Sequence, residues 1–261
     1  MASKNAVYND QTIVALKGAD RVRKRPAVIF GSDGLEGCQH SFFEILSNSV
    51  DEAREGYGSV INVSVTKDGV MTVEDFGRGV PLDWNEKEQQ YNWFLIFCEI
   101  YAGGKYNNDD GGAYEFSLGL NGLGACATQY ASEFMEVTSC SKGVKSYISF
   151  KKGAPASELE KEPCPKNKTG TTIRWKSDRE VFTDTDIPLE FFKSVLKKQA
   201  VVNTGLKFTL RFEMKNGEIY KDEYYYAEGI TDYIKEIVGD TYLNAPVLYS
   251  ADRVGRDRDD K

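Results

Sequence analysis

The chain of 261 residues carries 33 basic and 40 acidic side chains, for a net charge of -7, and 41% of its residues are hydrophobic. This composition supports a folded core in one large domain, or in one domain and part of another. It argues against a chain whose main role is to bind nucleic acid, because phosphate backbones are held by clustered Lys and Arg, and it leaves room for a local basic patch. No apolar run is long enough to cross a bilayer, and the N-terminus lacks a signal peptide. We therefore expect a cytoplasmic protein with no membrane partner.

The first informative helix is predicted over the stretch EILSNSVDEA, which places four polar residues at i, i+4, i+7 and i+8. Apolar residues between them supply a stripe for packing against a core. Asp51 is interpreted either as a solvated helix charge or as a binding residue, and the pattern does not decide between them. The residues that share the polar face are Glu44, Asn48, Asp51 and Glu52.

A β-hairpin is predicted next, because apolar and polar residues alternate on both sides of Asp68-Gly69. The second strand of this hairpin ends at Asp75. The stretch WFLIFCEIYAGG then predicts a buried helix that ends at the Gly103-Gly104 pair.

A loop rich in Gly and Asn follows, and it leads into a short helix at ACATQYASEF. Gly119, Gly122 and Gly124 have the wrong spacing for a P-loop or a dinucleotide-binding turn. Backbone N–H groups in such a loop can face phosphate oxygens. A merely flexible surface turn is an equally good interpretation of this spacing taken alone.

The remaining elements are strands at EFMEVTSC, VKSYISFKKG and TGTTIRWKS, a helix at PLEFFKSVLKKQAVV, and a hairpin through Asn216-Gly217. Helices and hairpins alternate without a regular strand-helix-strand order. This arrangement predicts an α+β fold in which a mostly antiparallel sheet lies under helices.

The five cysteines and the single histidine do not form a metal-site pattern, since there is no C-x-x-C pair and no second histidine. His40 is interpreted as an ordinary surface or core residue. An odd number of free thiols suits a reducing compartment.

Four separated motifs, EILSNSVDEA, EDFGRGVP, GLNGLGA and TGTT, resemble those of the ATPase superfamily that includes gyrase, the ninety-kilodalton heat-shock chaperone, sensor histidine kinases and MutL. LKGADRVRKRPAVIFGS and YAGGKY look like signatures of the B subunit of bacterial type II topoisomerases. The resemblance implies a two-layer α/β sandwich of the gyrase (Bergerat) type, with a mixed, mostly antiparallel sheet covered on one face by helices.

The resemblance also implies roles for residues around an ATP molecule. Glu44 matches the general base for ATP hydrolysis, and Asn48 matches the ligand of Mg²⁺. Asp75 matches the residue that accepts a hydrogen bond from the adenine amino group, with Thr171 in support. Glu52 is expected near the site, paired with Arg78.

The resemblance assigns further residues to the turn beneath the base and to a lid over ribose and phosphates. In the lid, Asn121 stands where the family commonly has histidine, so this side chain cannot become cationic. Glu115 follows Tyr114 where relatives often have lysine. The turn contains Gly79 and Pro81, and the lid contains Lys105, Tyr114, Gly119, Asn121, Gly122, Leu123 and Gly124.

The family organisation implies an ATP-binding domain with its N-terminal arm over residues 1–225. A connecting helix and the start of a truncated second (transducer) domain are expected over 226–261. Expected partners are a second copy on ATP binding, an A-type DNA-cleaving subunit with DNA, and competitive ATP-site inhibitors. The sequence does not separate gyrase from topoisomerase IV. The alternative function is a nucleotide-regulated clamp or matchmaker of the chaperone or MutL type.

Overall fold

The computed structural model describes residues 15–102, 122–239, 244–247 and 249. The helices are α1 (Asp20–Arg23), α2 (Pro26–Phe30), α3 (Leu35–Arg54), α4 (Asn92–Cys98), α5 (Gly124–Tyr130), α6 (Leu189–Val202) and α7 (Ile230–Val238). The strands are β1 (Val60–Val65), β2 (Val70–Asp75), β3 (Trp84–Asn85), β4 (Gln90–Tyr91), β5 (Ser132–Ser141), β6 (Val144–Lys151), β7 (Ala154–Pro155), β8 (Glu160–Pro163), β9 (Gly170–Ser177), β10 (Lys207–Glu213) and β11 (Ile219–Tyr224).

One large sheet organises the molecule, with strand order β11-β10-β1-β2-β9-β5-β6-β7 and with β8 also paired to β6. Strands β1 and β10 run parallel, and the other pairs in this sheet are antiparallel. The prediction of a mixed, mostly antiparallel sheet with helices is therefore confirmed. Strands β3 and β4 form a separate two-stranded ribbon.

The core lies between this sheet and the helices α3 and α6. Residues in β1 alternate between buried and partly exposed, as expected for a strand that turns one face to a core. Phe42 of α3 stacks on Trp175 of β9, with ring centroids 6.2 Å apart, and meets Phe192 of α6 edge-on at 4.9 Å. This aromatic contact fixes α3, and hence its polar face, over the middle of the sheet.

Both predicted hairpins form where the Asp-Gly and Asn-Gly pairs stand. Gly69 and Gly217 have positive φ angles of 77° and 88°, which glycine adopts without strain. The hairpin β1–β2 then carries Asp75 to the end of β2, as expected. These two turns set the register of the strands on either side.

The helix predicted over WFLIFCEIYAGG is expected to end at the Gly103-Gly104 pair, and this prediction is wrong. Helix α4 ends at Cys98, because Glu99 is extended (φ -118°, ψ 124°) and Tyr101 has a φ of 67°. The apolar run continues through Ile100, which packs against the core from a non-helical segment. Apolar character alone cannot distinguish a helix that continues into the core from a non-helical segment that packs against it.

Candidate functional site

The candidate site lies where three parts of the fold meet: the polar face of α3, the end of β2 with the turn that follows it, and the start of α5. The first residues of β9 form its floor beside β2. Hydrogen bonds join Asn48 to Glu44 within α3 and Thr171 to Asp75, and Ser49, which follows Asn48, also donates to Asp75.

Asp75 is a buried carboxylate at the end of β2, with 8% of its surface exposed. Its Oδ1 accepts hydrogen bonds from the backbone N–H of Gly77 (3.0 Å) and of Thr171 (3.1 Å), and its Oδ2 accepts one from Ser49 Oγ (2.9 Å). Burial raises the pKa of Asp75, while these hydrogen bonds act in the opposite direction. Because each carboxylate oxygen offers two lone pairs, Oδ2 can accept one more donor.

The floor beneath Asp75 depends on Gly170, whose φ is 125°. A Cβ on Gly170 would lie 2.1 Å from the carbonyl oxygen of Asp75, so only glycine permits this approach of the two strands. Thr171 is thereby placed between two partners. Its N–H reaches Asp75, and its Oγ1 accepts a hydrogen bond from the N–H of Val80 at 3.0 Å.

The turn after β2 is held against β5. Ser139 Oγ donates to the carbonyl of Val80 at 2.7 Å, and a Cβ on Gly79 would lie 2.5 Å from the carbonyl oxygen of Cys140. Pro81 follows with an exposed side chain. The turn therefore owes its position to the hydroxyl groups of Ser139 and Thr171, and to the close approach of Gly79 to the backbone of β5.

Glu52 and Arg78 form the predicted pair. Arg78 Nε and Nη2 donate to the two carboxylate oxygens of Glu52, each at 2.8 Å, and the backbone N–H of Arg78 donates to Oε1 at 2.8 Å. The guanidinium carbon of Arg78 lies 3.9 Å from the ring centroid of Tyr57. This two-pronged contact joins α3 to the turn and forms one wall of the site.

Glu44 contacts His40, one helical turn earlier, with 3.1 Å between Oε1 and Nε2. His40 Nδ1 lies 3.1 Å from the carbonyl oxygen of Phe30, which can only accept a hydrogen bond. The Phe30 carbonyl and the Glu44 carboxylate therefore hold the two ring nitrogens of His40 between α2 and α3, at the surface of the site.

Asn48 is oriented by a hydrogen bond from its Nδ2 to the carbonyl of Glu44 at 3.0 Å. Its Oδ1, a neutral oxygen of the kind that binds Mg²⁺, accepts no hydrogen bond from the residues that the structure describes. The described part of the chain holds no cluster of three or more His, Cys, Asp or Glu residues that could bind a metal. Mg²⁺ often binds through one or two protein oxygens and the phosphates of a substrate, and Asn48 fits that mode.

The start of α5 brings Gly124 against Glu44, and Gly122 turns the chain with a φ of 56°. Leu123 occupies the N-cap position, and its side chain makes no capping hydrogen bond. The predicted lid residues Lys105, Tyr114, Gly119 and Asn121 lie outside the described residues, as does Glu115. Their contact with phosphates stays a prediction.

The structure decides between the two interpretations of Asp51, and it adds His40 and Ser49 to the residues of the candidate site. Asp51 has 5% of its surface exposed, so the interpretation as a solvated helix charge is wrong. His40 contacts Glu44, and Ser49 donates a hydrogen bond to Asp75. The sequence analysis gives neither His40 nor Ser49 a role in the site. The i, i+4 spacing of His40 and Glu44 could have indicated their contact. No local pattern connects Ser49 with Asp75, because 26 positions separate them.

The chain is 37% identical over 228 residues to the DNA gyrase B subunit of Staphylococcus epidermidis, and the match covers 87% of this chain and 35% of that protein. The DNA gyrase B subunit of Staphylococcus aureus is 37% identical over 229 residues, with the same two coverages. The chain thus spans about a third of the length of these curated relatives.

The crystal structure of the 43K ATPase domain of Thermus thermophilus gyrase B, in complex with an aminocoumarin, superimposes with a TM-score of 0.71 at 30% identity. The match covers 86% of this chain and 56% of that one. No family model matches the sequence. Among the residues described, no helix has the length and apolar character needed to span a membrane.

Proposed function

Because the chain belongs to the gyrase B family, we propose that it is the ATP-binding and ATP-hydrolysing part of a B-type subunit of a type II DNA topoisomerase. The observation that carries the proposal is the buried carboxylate of Asp75, which is held by three donors and keeps one acceptor direction open. Adenine presents an amino group at the edge where guanine presents a carbonyl oxygen. An acceptor-only group at this position therefore selects ATP over GTP.

The hydrolytic role is proposed for Glu44. Its carboxylate stands on α3 one helical turn before Asn48, and His40 orients it from the other side. A carboxylate at this place can take a proton from a water molecule that attacks the terminal phosphate. His40 is a positioning residue in this proposal, since it acts on the water through Glu44.

Asn48 is the proposed protein ligand of Mg²⁺, and the ion would neutralise charge on the phosphate oxygens when it is bound. Glu52 and Arg78 are proposed to form the wall beside the base, with Gly79, Pro81 and Thr171 beneath it. Gly122, Leu123 and Gly124 are proposed for the phosphate side, together with Lys105, Tyr114, Gly119 and Asn121 outside the described residues.

For the whole protein, we propose that ATP binding closes two copies of the subunit around DNA, and that an A-type subunit cleaves the DNA. Residues 1–225 would be the ATP-binding domain, and the segment with α7 would lead into a second domain. Competitive inhibitors of ATP are proposed to bind the same pocket.

Titration calorimetry with non-hydrolysable analogues of ATP and GTP tests the base-recognition step. Asp75→Asn should weaken binding of the ATP analogue about 10- to 100-fold, the range for losing a hydrogen bond to a charged group. Asp68→Asn, in the exposed hairpin turn, is the matched control and should bind as the unaltered protein does. Equal binding of the two analogues, or unchanged affinity in Asp75→Asn, would contradict the assignment.

A further inference from the structure

Two cysteines meet beside the turn that supports the candidate site, and the proposed function gives them no role. Cys140 is the penultimate residue of β5 and is 5% exposed, whereas Cys164 directly follows β8 and is partly exposed. Both are free thiols, and their side chains are in hydrogen-bonding contact.

The path of the chain explains why residues 24 positions apart come together. Residues 164–169 leave β8 at the edge of the sheet, cross over the β5–β6 turn, and enter β9 on the other side of β5. The N–H of Cys164 donates to the carbonyl of Gly143 at 3.0 Å, and a Cβ on Gly143 would lie 3.3 Å from Lys166 Cγ. At the far end of the crossing, Gly170 pairs with Cys140 itself.

The surroundings of the thiols are basic. Burial is the largest influence on the pKa of Cys140 and raises it, as does the neighbouring Cys164, whereas the charges of Lys168 and Lys145 lower it. Lys145 is paired with Glu162 at 2.7 Å, while Lys166 and Lys168 are exposed on the crossing segment. Such a positive surface attracts a small anionic reagent.

We propose that Cys140 and Cys164 are a redox-responsive pair, which a small anionic disulfide such as oxidised glutathione converts into a disulfide bond. The thiolate of Cys164, the more accessible of the two, attacks one sulfur of the reagent and releases one thiolate. The thiolate of Cys140 then attacks the sulfur of Cys164 and releases the second. Two protein thiols lose two electrons and two protons, and the reagent becomes two thiols.

The bond would tie the crossing segment to the strand that supports the site. Its sulfurs must approach to about 2.05 Å, and the exposed segment can supply that movement more easily than β5 can. Because the carbonyl of Cys140 faces Gly79, and Ser139 holds Val80, the tether acts next to the turn beneath the proposed base position. Restricting residues 164–169 should protect the backbone after Lys166 and Lys168 from trypsin.

Peptide mapping under non-reducing conditions, after incubation with oxidised glutathione, tests the proposal. The expected product is a Cys140–Cys164 linked peptide pair, with trypsin cleavage after Lys166 and Lys168 slowed severalfold and restored by dithiothreitol. Cys164→Ser should abolish both changes, and Cys98→Ala should retain them.

Glutathione attached to Cys164 without a protein disulfide would overturn the proposal, as would a bond between another pair of cysteines or the absence of any oxidation. Mapping of the unaltered chain decides between these products, so the test holds even where a cysteine variant fails to fold.

Discussion

The α-carbon of Gly124 lies directly against the carboxylate of Glu44: a Cβ added there would be 1.9 Å from Glu44 Oε2. This contact joins the start of α5 to the polar face of α3. Gly124 therefore leaves room for the carboxylate as well as beginning a helix.

Gly124→Ala should displace Glu44 from its place beside His40. Because the added methyl group and Oε2 cannot occupy the same space, we expect ATP turnover to fall about 100-fold, as for a misplacement of about 1 Å in a catalytic group. Steady-state ATPase measurements check this expectation. Gly34→Ala is the matched control, since its Cβ would meet only Ser32 Oγ at 3.4 Å and Thr183 Oγ1 at 3.7 Å. Full turnover in Gly124→Ala would show that the contact is unimportant.

Asp75 should make the protein less stable as the pH rises. Burial raises its folded-state pKa above the ordinary 3.8, so the folded state holds this proton more tightly than the unfolded state does. The resulting stabilisation is complete below pH 3.8 and is lost as the pH rises through the folded-state pKa. We expect the unaltered protein to lose unfolding free energy relative to Asp75→Asn across this interval.

Urea denaturation of both proteins at a series of pH values from about 3.5 to about 7.5 measures this difference. A difference that stays constant, or that changes in the opposite direction, would contradict the assigned pKa direction.

Asp178 should have the opposite pH dependence. Burial alone would raise the pKa of Asp178, but hydrogen bonds from the N–H of Glu180 and from Arg23, 2.7 Å away, lower it below 3.8. Its stabilisation is present above pH 3.8 and is lost as the pH falls through the lower folded-state value. Asp178→Asn should therefore reduce the unfolding free energy near neutral pH by up to about 3 kcal/mol, because it leaves the largely buried Arg23 with only the exposed carboxylate of Glu180 as a charged partner.

Urea denaturation at about pH 7 compares Asp178→Asn with Asp20→Asn, which removes an exposed pair with Lys24 and should cost under about 1 kcal/mol. Equal effects of the two substitutions would contradict the prediction for Asp178.

The sequence predicts those features whose causes are local. Asp68-Gly69 specifies a hairpin through its own backbone preferences, and the periodic residues of α3 specify one polar face. The contact between Glu52 and Arg78 is predicted only by the family resemblance, and the structure confirms it. The end of α4 depends instead on how an apolar run packs, which periodicity does not determine.

Burial and long-range hydrogen bonds are the other features that the sequence does not reveal. Asp51 is a charged residue of a type that is usually exposed, and it is buried because of the way α3 packs in the fold. The hydrogen bond from Ser49 to Asp75 depends on the approach of α3 to the end of β2. Tertiary packing, rather than residue type, decides both cases.

Glu44 is proposed to perform proton transfer at an ATP site built around Asp75. Glu44→Gln keeps the size of the side chain but removes its basicity. It should leave binding of an ATP analogue nearly unchanged while lowering ATP turnover by about 10²- to 10⁴-fold in the protein at its complete natural length. Glu36→Gln, on an exposed part of α3, is the control and should retain full turnover. Single-turnover hydrolysis at saturating ATP is the decisive measurement: a rate lowered to this extent supports Glu44 as the general base, and a rate equal to that of the unaltered protein contradicts that role.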